Sequence, residues 1–150
     1  MNDSGAACRI PPSDDGRNDE TIKRIFSLKT IAVVGCSPKP ERPSHYVAAY
    51  LKEQGYRIIP VNPGHKEILG EACYPNVLSI PGPVDVVDVF RRPEEVLPVI
   101  HEAIQIKAKA LWLQDGIAHP IGEEEARKAG LLVVSNDCMM RRHFRLIKSK

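Results

Sequence analysis

The stretch Thr30-Ile31-Ala32-Val33-Val34-Gly35-Cys36-Ser37-Pro38-Lys39-Pro40-Glu41-Arg42-Pro43-Ser44-His45 decides how this chain folds. Five β-prone residues end at a glycine, which permits a tight turn. A polar loop follows, and Pro43 suits the first position of a helix, where its missing N–H costs nothing. Residues 44–54 then place Val47, Ala48 and Leu51 at helical spacing, and Gly55 ends the pattern. Tyr56-Arg57-Ile58-Ile59-Pro60-Val61 is a second strand, closed by Asn62-Pro63-Gly64. Strand, helix and strand form a βαβ unit.

The alternation continues outward. Val84-Asp85-Val86-Val87-Asp88-Val89-Phe90 reads as a strand. Residues 93–106 read as a helix with Val96, Ile100, Ala103 and Ile104 on one face, and Pro98 makes its first turn irregular. Ala110-Leu111-Trp112-Leu113 and Leu131-Leu132-Val133-Val134 are strands that flank a helix over 122–129. Upstream, residues 18–28 form a short helix with Ile22, Ile25 and Phe26 inward. Downstream, residues 139–147 close the domain as a helix with Met140, Phe144 and Ile147 inward. The piece Glu71-Ala72-Cys73-Tyr74 is left open between strand and loop. Short, wholly apolar strands suit burial on both faces. Their alternation with helices predicts an α/β fold: a Rossmann-like, doubly wound parallel sheet, three layers αβα, in a single domain.

Length and composition agree with this reading. One domain fits 150 residues, and a substrate domain or the second domain of a ligase does not. With 43% apolar and 27% charged residues the chain is of globular type. Residues 1–17, polar and lacking periodicity, are expected to be a disordered tail, and the domain is expected over 18–150. The start lacks the basic and apolar regions of a signal peptide, and no apolar run is long enough to span a bilayer. Four cysteines without zinc or redox spacing suit a reduced, cytoplasmic protein, and no metal site is expected.

The net charge of +2 hides a pattern. The chain starts acidic (Asp3, Asp14, Asp15, Asp19, Glu20) and ends basic (Arg141, Arg142, Arg145, Lys148, Lys150), while the body is balanced. A nucleic-acid binder carries its basic stripe over the fold, so nucleic acid is not the expected partner. A surface helix with a solvated outer face explains the basic end; an adaptor working through it is the alternative.

Ligands of open α/β sheets bind beyond the carboxyl ends of the strands. After the first strand, Ser37 and Ser44 offer hydroxyls, Lys39 and Arg42 offer cations, and the helix start offers free N–H groups. The set suits a pyrophosphate, although the same loop also reads as a plain βα turn. The spacing departs from G-x-G-x-x-G: positions 35, 37 and 40 are Gly, Ser and Pro. Where an NAD site wants a carboxylate the chain has Asn62, which would not repel a ribose 3′-phosphate. An NAD(P)- or flavin-binding oxidoreductase component therefore stands as an alternative, not the main reading. Phe90 could cover an adenine, and Arg91 or Arg92 could pair with phosphate, or the three form a packed ring and two solvated cations. Lys39, Arg42, Arg91 and Arg92 are expected to gather at the strand ends. Gln114 and Gly116 follow the fourth strand and suit either a ligand or a turn.

Taken in order, Val34-Gly35-Cys36-Ser37, Arg42-Pro43-Ser44, Gly55-Tyr56, Pro60-Val61-Asn62-Pro63, Val89-Phe90-Arg91-Arg92-Pro93 and Leu111-Trp112-Leu113-Gln114-x-Gly116 carry a resemblance. From about residue 20 to 146 the chain resembles the small stand-alone CoA-binding domain proteins, and through them the N-terminal domain of the succinyl-CoA synthetase alpha subunit. The resemblance implies coenzyme A or an acyl-CoA as the ligand. It implies that Gly35, Cys36, Ser37 and the following helix start hold phosphate. Val61, Asn62, Pro63, Val89, Phe90 and Arg91 would flank the nucleotide, and Gln114 and Gly116 the pantetheine. The chain departs from the family's Met-Asp-Arg-Cys near the last strand, where it reads Ser135-Asn136-Asp137-Cys138.

Catalysis is not the favoured reading. Cys36 and Cys138 are the candidate nucleophiles, or small core residues. Cys36, beside a helix start, is expected to favour thiolate, and Cys138 could meet the CoA thiol. The five histidines form no triad or metal set. A binding or regulatory protein without turnover is the expectation.

Overall fold

A computed structural model describes residues 19–148. The expected tail over 1–17, with Cys8, lies outside the described residues. Five parallel strands form the sheet: β1 (Thr30–Val34), β2 (Arg57–Val61), β5 (Val86–Val89), β6 (Ala110–Leu113) and β7 (Leu132–Val134), in the order β2-β1-β5-β6-β7. Two short antiparallel strands, β3 (Glu67–Ile68) and β4 (Glu71–Ala72), form a separate hairpin. Its turn places Leu69 and Gly70 both at positive φ (58° and 74°). This is the open segment of the sequence reading, and it resolves as β structure: Glu71–Ala72 pairs with Glu67–Ile68, and Tyr74 bridges to Val61 at the sheet edge.

Strand residues alternate between two cores. Ile31, Val33, Val86, Ala110 and Trp112 face one side, under α1 (Asp19–Phe26), α2 (Pro43–Glu53) and α5 (Met139–His143). Ala32, Val34, Val87, Val89, Leu111 and Leu113 face the other, under α3 (Val96–Gln105) and α4 (Pro120–Lys128). Both faces are covered, as the apolar strands require, so the domain is a three-layer, Rossmann-like α/β fold. Asp85 precedes the ladder because its carboxylate accepts from the N–H groups of Lys29 (3.0 Å) and Thr30 (3.1 Å). The irregular start expected near Pro98 is a 3-10 turn over Pro93–Glu95.

The C-terminal segment corrects the sequence reading. Met139, His143 and Leu146 are the buried residues, whereas Phe144 is 55% and Ile147 40% exposed, and Met140 is only half-buried. The cause is local. The α-helical turn of α5 passes into a π-helical turn, Phe144–Lys148, which rotates the apolar stripe. The inward His143 lies T-shaped against an aromatic cluster: its ring centroid is 5.1 Å from Phe26, 5.5 Å from Tyr50 and 5.7 Å from Tyr56. Burial, with Lys148 nearby, lowers its pKa.

Candidate functional site

The order β2-β1-β5 contains the point where the chain reverses direction across the sheet, between β1 and β5. A crevice opens there in folds of this kind. At that point the loops after β1 and β5 nearly touch. Gly35 holds φ at 85°, and a Cβ on it would come 2.8 Å from the Phe90 carbonyl oxygen. Glycine is thus required twice, for its dihedral and for its lack of a side chain.

The loop from Gly35 to Arg42 is shaped by its own hydrogen bonds. The Ser37 N–H donates to Ser44 Oγ (2.9 Å), and the Lys39 N–H to Ser37 Oγ (3.1 Å). His45 Nδ1 lies 2.8 Å from the Ser37 carbonyl, which can only accept, so the imidazole proton sits on Nδ1. Asn62 ties the loop to the end of β2: its amide donates to the Cys36 carbonyl (2.8 Å), and its Oδ1 accepts from Gly64 (3.0 Å). Helix α2 begins with Pro43, has no side-chain cap and no acid in its first turn. Its positive end is therefore left to whatever occupies the space in front of it. That space is a lobe of about 530 Å3, lined by Gly35, Ser37, Lys39, Arg42, Ser44 and Asn62, with His65 and Phe90 at its margins. The two cations, two hydroxyls and helix start read from the sequence are thus gathered in one place.

A second, larger lobe of about 860 Å3 adjoins the first and shares Pro43 and Phe90 with it. Tyr46, Val47 and Tyr50 of α2 form one wall; Gln114 and Ile117 after β6 form another; Cys138, Met140 and Phe144 form a third. Its charged groups are largely satisfied. Arg141 grips Asp115 with two bonds (2.8 and 3.1 Å) and reaches Asp137 at 3.1 Å. Those bonds hold the Asp115 carboxyl below the usual carboxylate range and push the Arg141 pKa up.

Gln114 joins the lobe to a buried acid. Its Nε2 donates to Asp88 Oδ1 at 2.7 Å. Asp88 is fully buried in the middle of β5, and burial pushes its carboxyl up to about 8 against the opposing pull of that bond. Its Oδ2 has no hydrogen-bond partner. Cys36 lies in the same interior. Burial first, then Cys73 and Asp88, push its thiol up to about 12. Of the two sequence readings, a nucleophile favouring thiolate or a small core residue, the structure matches the second: the side chain is buried and its Sγ donates to the Ser44 carbonyl (3.7 Å) in the first turn of α2. Burial also raises Cys138, against opposing bonds from the N–H groups of Arg141 and Met140.

Other expected site residues fall outside the two lobes. Val61 and Val89 are 1% and 0% exposed, and their carbonyls accept from Gly35 (2.8 Å) and Gln114 (3.2 Å). They hold site residues in position from within the core. Pro63, Arg91 and Gly116 line neither lobe. Arg92 does not join the cationic group, because the 3-10 turn brings Glu95 back to it at 2.7 Å and Glu94 at 3.8 Å. Tyr46, Tyr50, Ile117, Met140 and Phe144 were not read as site residues. The i, i+4 pair Tyr46 and Tyr50, just beside the inward stripe of α2, was the available signal.

Comparison with known proteins agrees with this geometry. A family model described as a CoA binding domain matches residues 29–143. The uncharacterized protein YneT of Bacillus subtilis is 37% identical over 123 residues, covering 81% of this chain and 91% of that one. A solved hypothetical protein from Pyrococcus horikoshii superposes with a TM-score of 0.85 at 45% identity, over 89% of this chain and 94% of its own. An ADP-forming acetate–CoA ligase of Archaeoglobus fulgidus is 34% identical over 100 residues, which are 63% of this chain and only 15% of the ligase. By the matched span, and by the likeness to YneT over most of both chains, this chain belongs to the CoA-binding domain family.

Proposed function

We propose that the two-lobed cleft binds coenzyme A or an acyl-CoA, and that the chain serves as a binding or regulatory protein without turnover of its own. The observation that carries this reading is the shared wall of Pro43 and Phe90 between a basic lobe and an apolar one. A ligand that spans both needs a phosphate-rich end and a long, weakly polar arm. Coenzyme A has that division; NAD, polar at both ends, does not. The phosphates would meet Ser37, Lys39, Arg42, Ser44 and the start of α2, with Gly35 and the Cys36 backbone shaping the turn. Asn62 and Phe90 would flank the nucleotide, and Gln114 the pantetheine. Burial raises the thiol pKa at both Cys36 and Cys138, which supports a role without covalent catalysis.

Native mass spectrometry of the freshly purified chain is expected to show a mass increment for coenzyme A. In thermal shift, CoA near 100 times its Kd should add about 2.7 kcal/mol, several degrees for a domain of this size. Stabilisation by NAD or FAD, with none by CoA, would refute the reading.

A further inference from the structure

We propose that the larger lobe is an acyl site, so that the preferred ligand is a CoA thioester carrying a bulky, uncharged acyl group and not free CoA. The inference rests on the CoA reading above and extends it to a substrate class.

Size is the first argument. The pantetheine arm has roughly eighteen non-hydrogen atoms, and at the ~30 Å3 of a water-sized group it takes nearly two-thirds of the lobe. The lobe measures about 860 Å3. The remainder has room for a medium-length chain or a ring.

Lining is the second argument. Tyr46 and Phe144 keep 43% and 55% of their surfaces exposed. Both open onto the lobe, from two separate elements, and the buried Val47 and Ile117 with the half-buried Met140 complete its apolar lining. Large apolar surfaces left open on a small domain mark a binding groove. The continuous wall shared with the basic lobe makes the occupant the far end of a phosphate-bearing ligand.

Charge decides between kinds of acyl group. The Arg141 guanidinium is engaged by Asp115 at 2.8 and 3.1 Å and by Asp137 at 3.1 Å. A carboxylate on the acyl end would have to displace Asp115 from it. An uncharged hydrocarbon meets no such competitor. Each methylene that enters the lobe is worth about threefold to fourfold in affinity.

The test is calorimetric titration of the full chain with CoA, acetyl-CoA, octanoyl-CoA and succinyl-CoA, each below any micelle concentration, with sedimentation velocity of the same samples. Octanoyl-CoA is expected to bind at least tenfold tighter than CoA or acetyl-CoA, and succinyl-CoA no tighter than acetyl-CoA. Phe144→Ala should cut the ratio of octanoyl-CoA to CoA affinity several-fold. Because Phe144 is exposed, folding of that variant can be verified by its near-wild-type unfolding midpoint. CoA binding with no octanoyl preference would overturn the acyl site while leaving the CoA reading intact. Binding of none of the four would overturn both. A dimer that Phe144→Ala converts to monomer, again without octanoyl preference, would assign the lobe to a second copy of the chain and overturn the proposal.

Discussion

Asp88 carries an electrostatic cost in the centre of the sheet, and that cost depends on pH. Its native carboxyl stays protonated up to about 8, whereas an unfolded aspartate ionises near 3.8. Between these values the native state holds a proton that the unfolded state has lost. Stability conferred by such a group is complete below the unfolded pKa and falls as pH rises through the native one. His143, with a lowered pKa, acts in the opposite sense but only below its ordinary 6.5, and the buried thiols act only near and above 9.0. From pH 6.5 to 8 the wild-type chain should therefore lose stability at roughly 1 kcal/mol per pH unit. Asp88→Asn, which keeps a partner for Gln114, should flatten that slope. Urea denaturation across this pH range measures it, and equal slopes in the two proteins would contradict the assignment.

Ligand contacts can be separated at the same scale. Arg42→Ala should weaken CoA about tenfold, the worth of one charge-assisted hydrogen bond. Arg91→Ala, outside both lobes, should cost CoA and dephospho-CoA equally; a loss for CoA alone would place the 3′-phosphate on Arg91. Titration with the two ligands reads the difference. Residue chemistry in the loop after β1 was legible from the sequence, because polar and cationic groups in a short βα turn have few places to go. The roles of Val61 and Val89 were less so. At a strand end, the pleat decides whether a side chain enters the core, and here it turns both inward.

Elements were legible where one periodicity dominated. The strands and α2 follow their apolar stripes, and Gly55 ends α2 with φ at 102° as expected of a residue after a helix. The C-terminal segment has apolar residues on more than one face: Met139, Met140, Phe144, Leu146 and Ile147. A 3.6-residue period cannot choose among them, and the π-helical turn selects Met139 and Leu146 for the core. Met139→Ala should accordingly cost about 2–4 kcal/mol, and Phe144→Ala less than about 1 kcal/mol, in chemical denaturation. The basic face of this segment is also less open than its composition suggests. Arg142 pairs with Asp19 (3.2 Å) and Arg141 with Asp115, so both are tied to the fold. At the turn after β1, Gly35→Ala should be costly: about 1–3 kcal/mol for the dihedral alone, with the Phe90 carbonyl collision added. A loss smaller than that would mean the two loops can part.

At the scale of the molecule, alternation of apolar strands and helices was enough to imply the doubly wound sheet and the edge on which a site would lie. It was not enough to reveal a second lobe. That lobe is made by residues far apart in sequence, Tyr46 and Tyr50 on α2 and Phe144 near the end, which no local pattern joins. Among the described residues no helix is long and apolar enough to cross a membrane.

Helix α2 contributes to both lobes, with its first turn facing the basic one and Tyr46, Val47 and Tyr50 walling the apolar one. A ligand that fills both is therefore bivalent on a single rigid element. Once one end is seated, the other meets its lobe at an effective concentration set by the ligand's own length. Cutting such a ligand in two should lose far more affinity than either half contributes alone. Adenosine 3′,5′-bisphosphate and pantetheine, titrated together, should compete poorly with the intact molecule even at large excess.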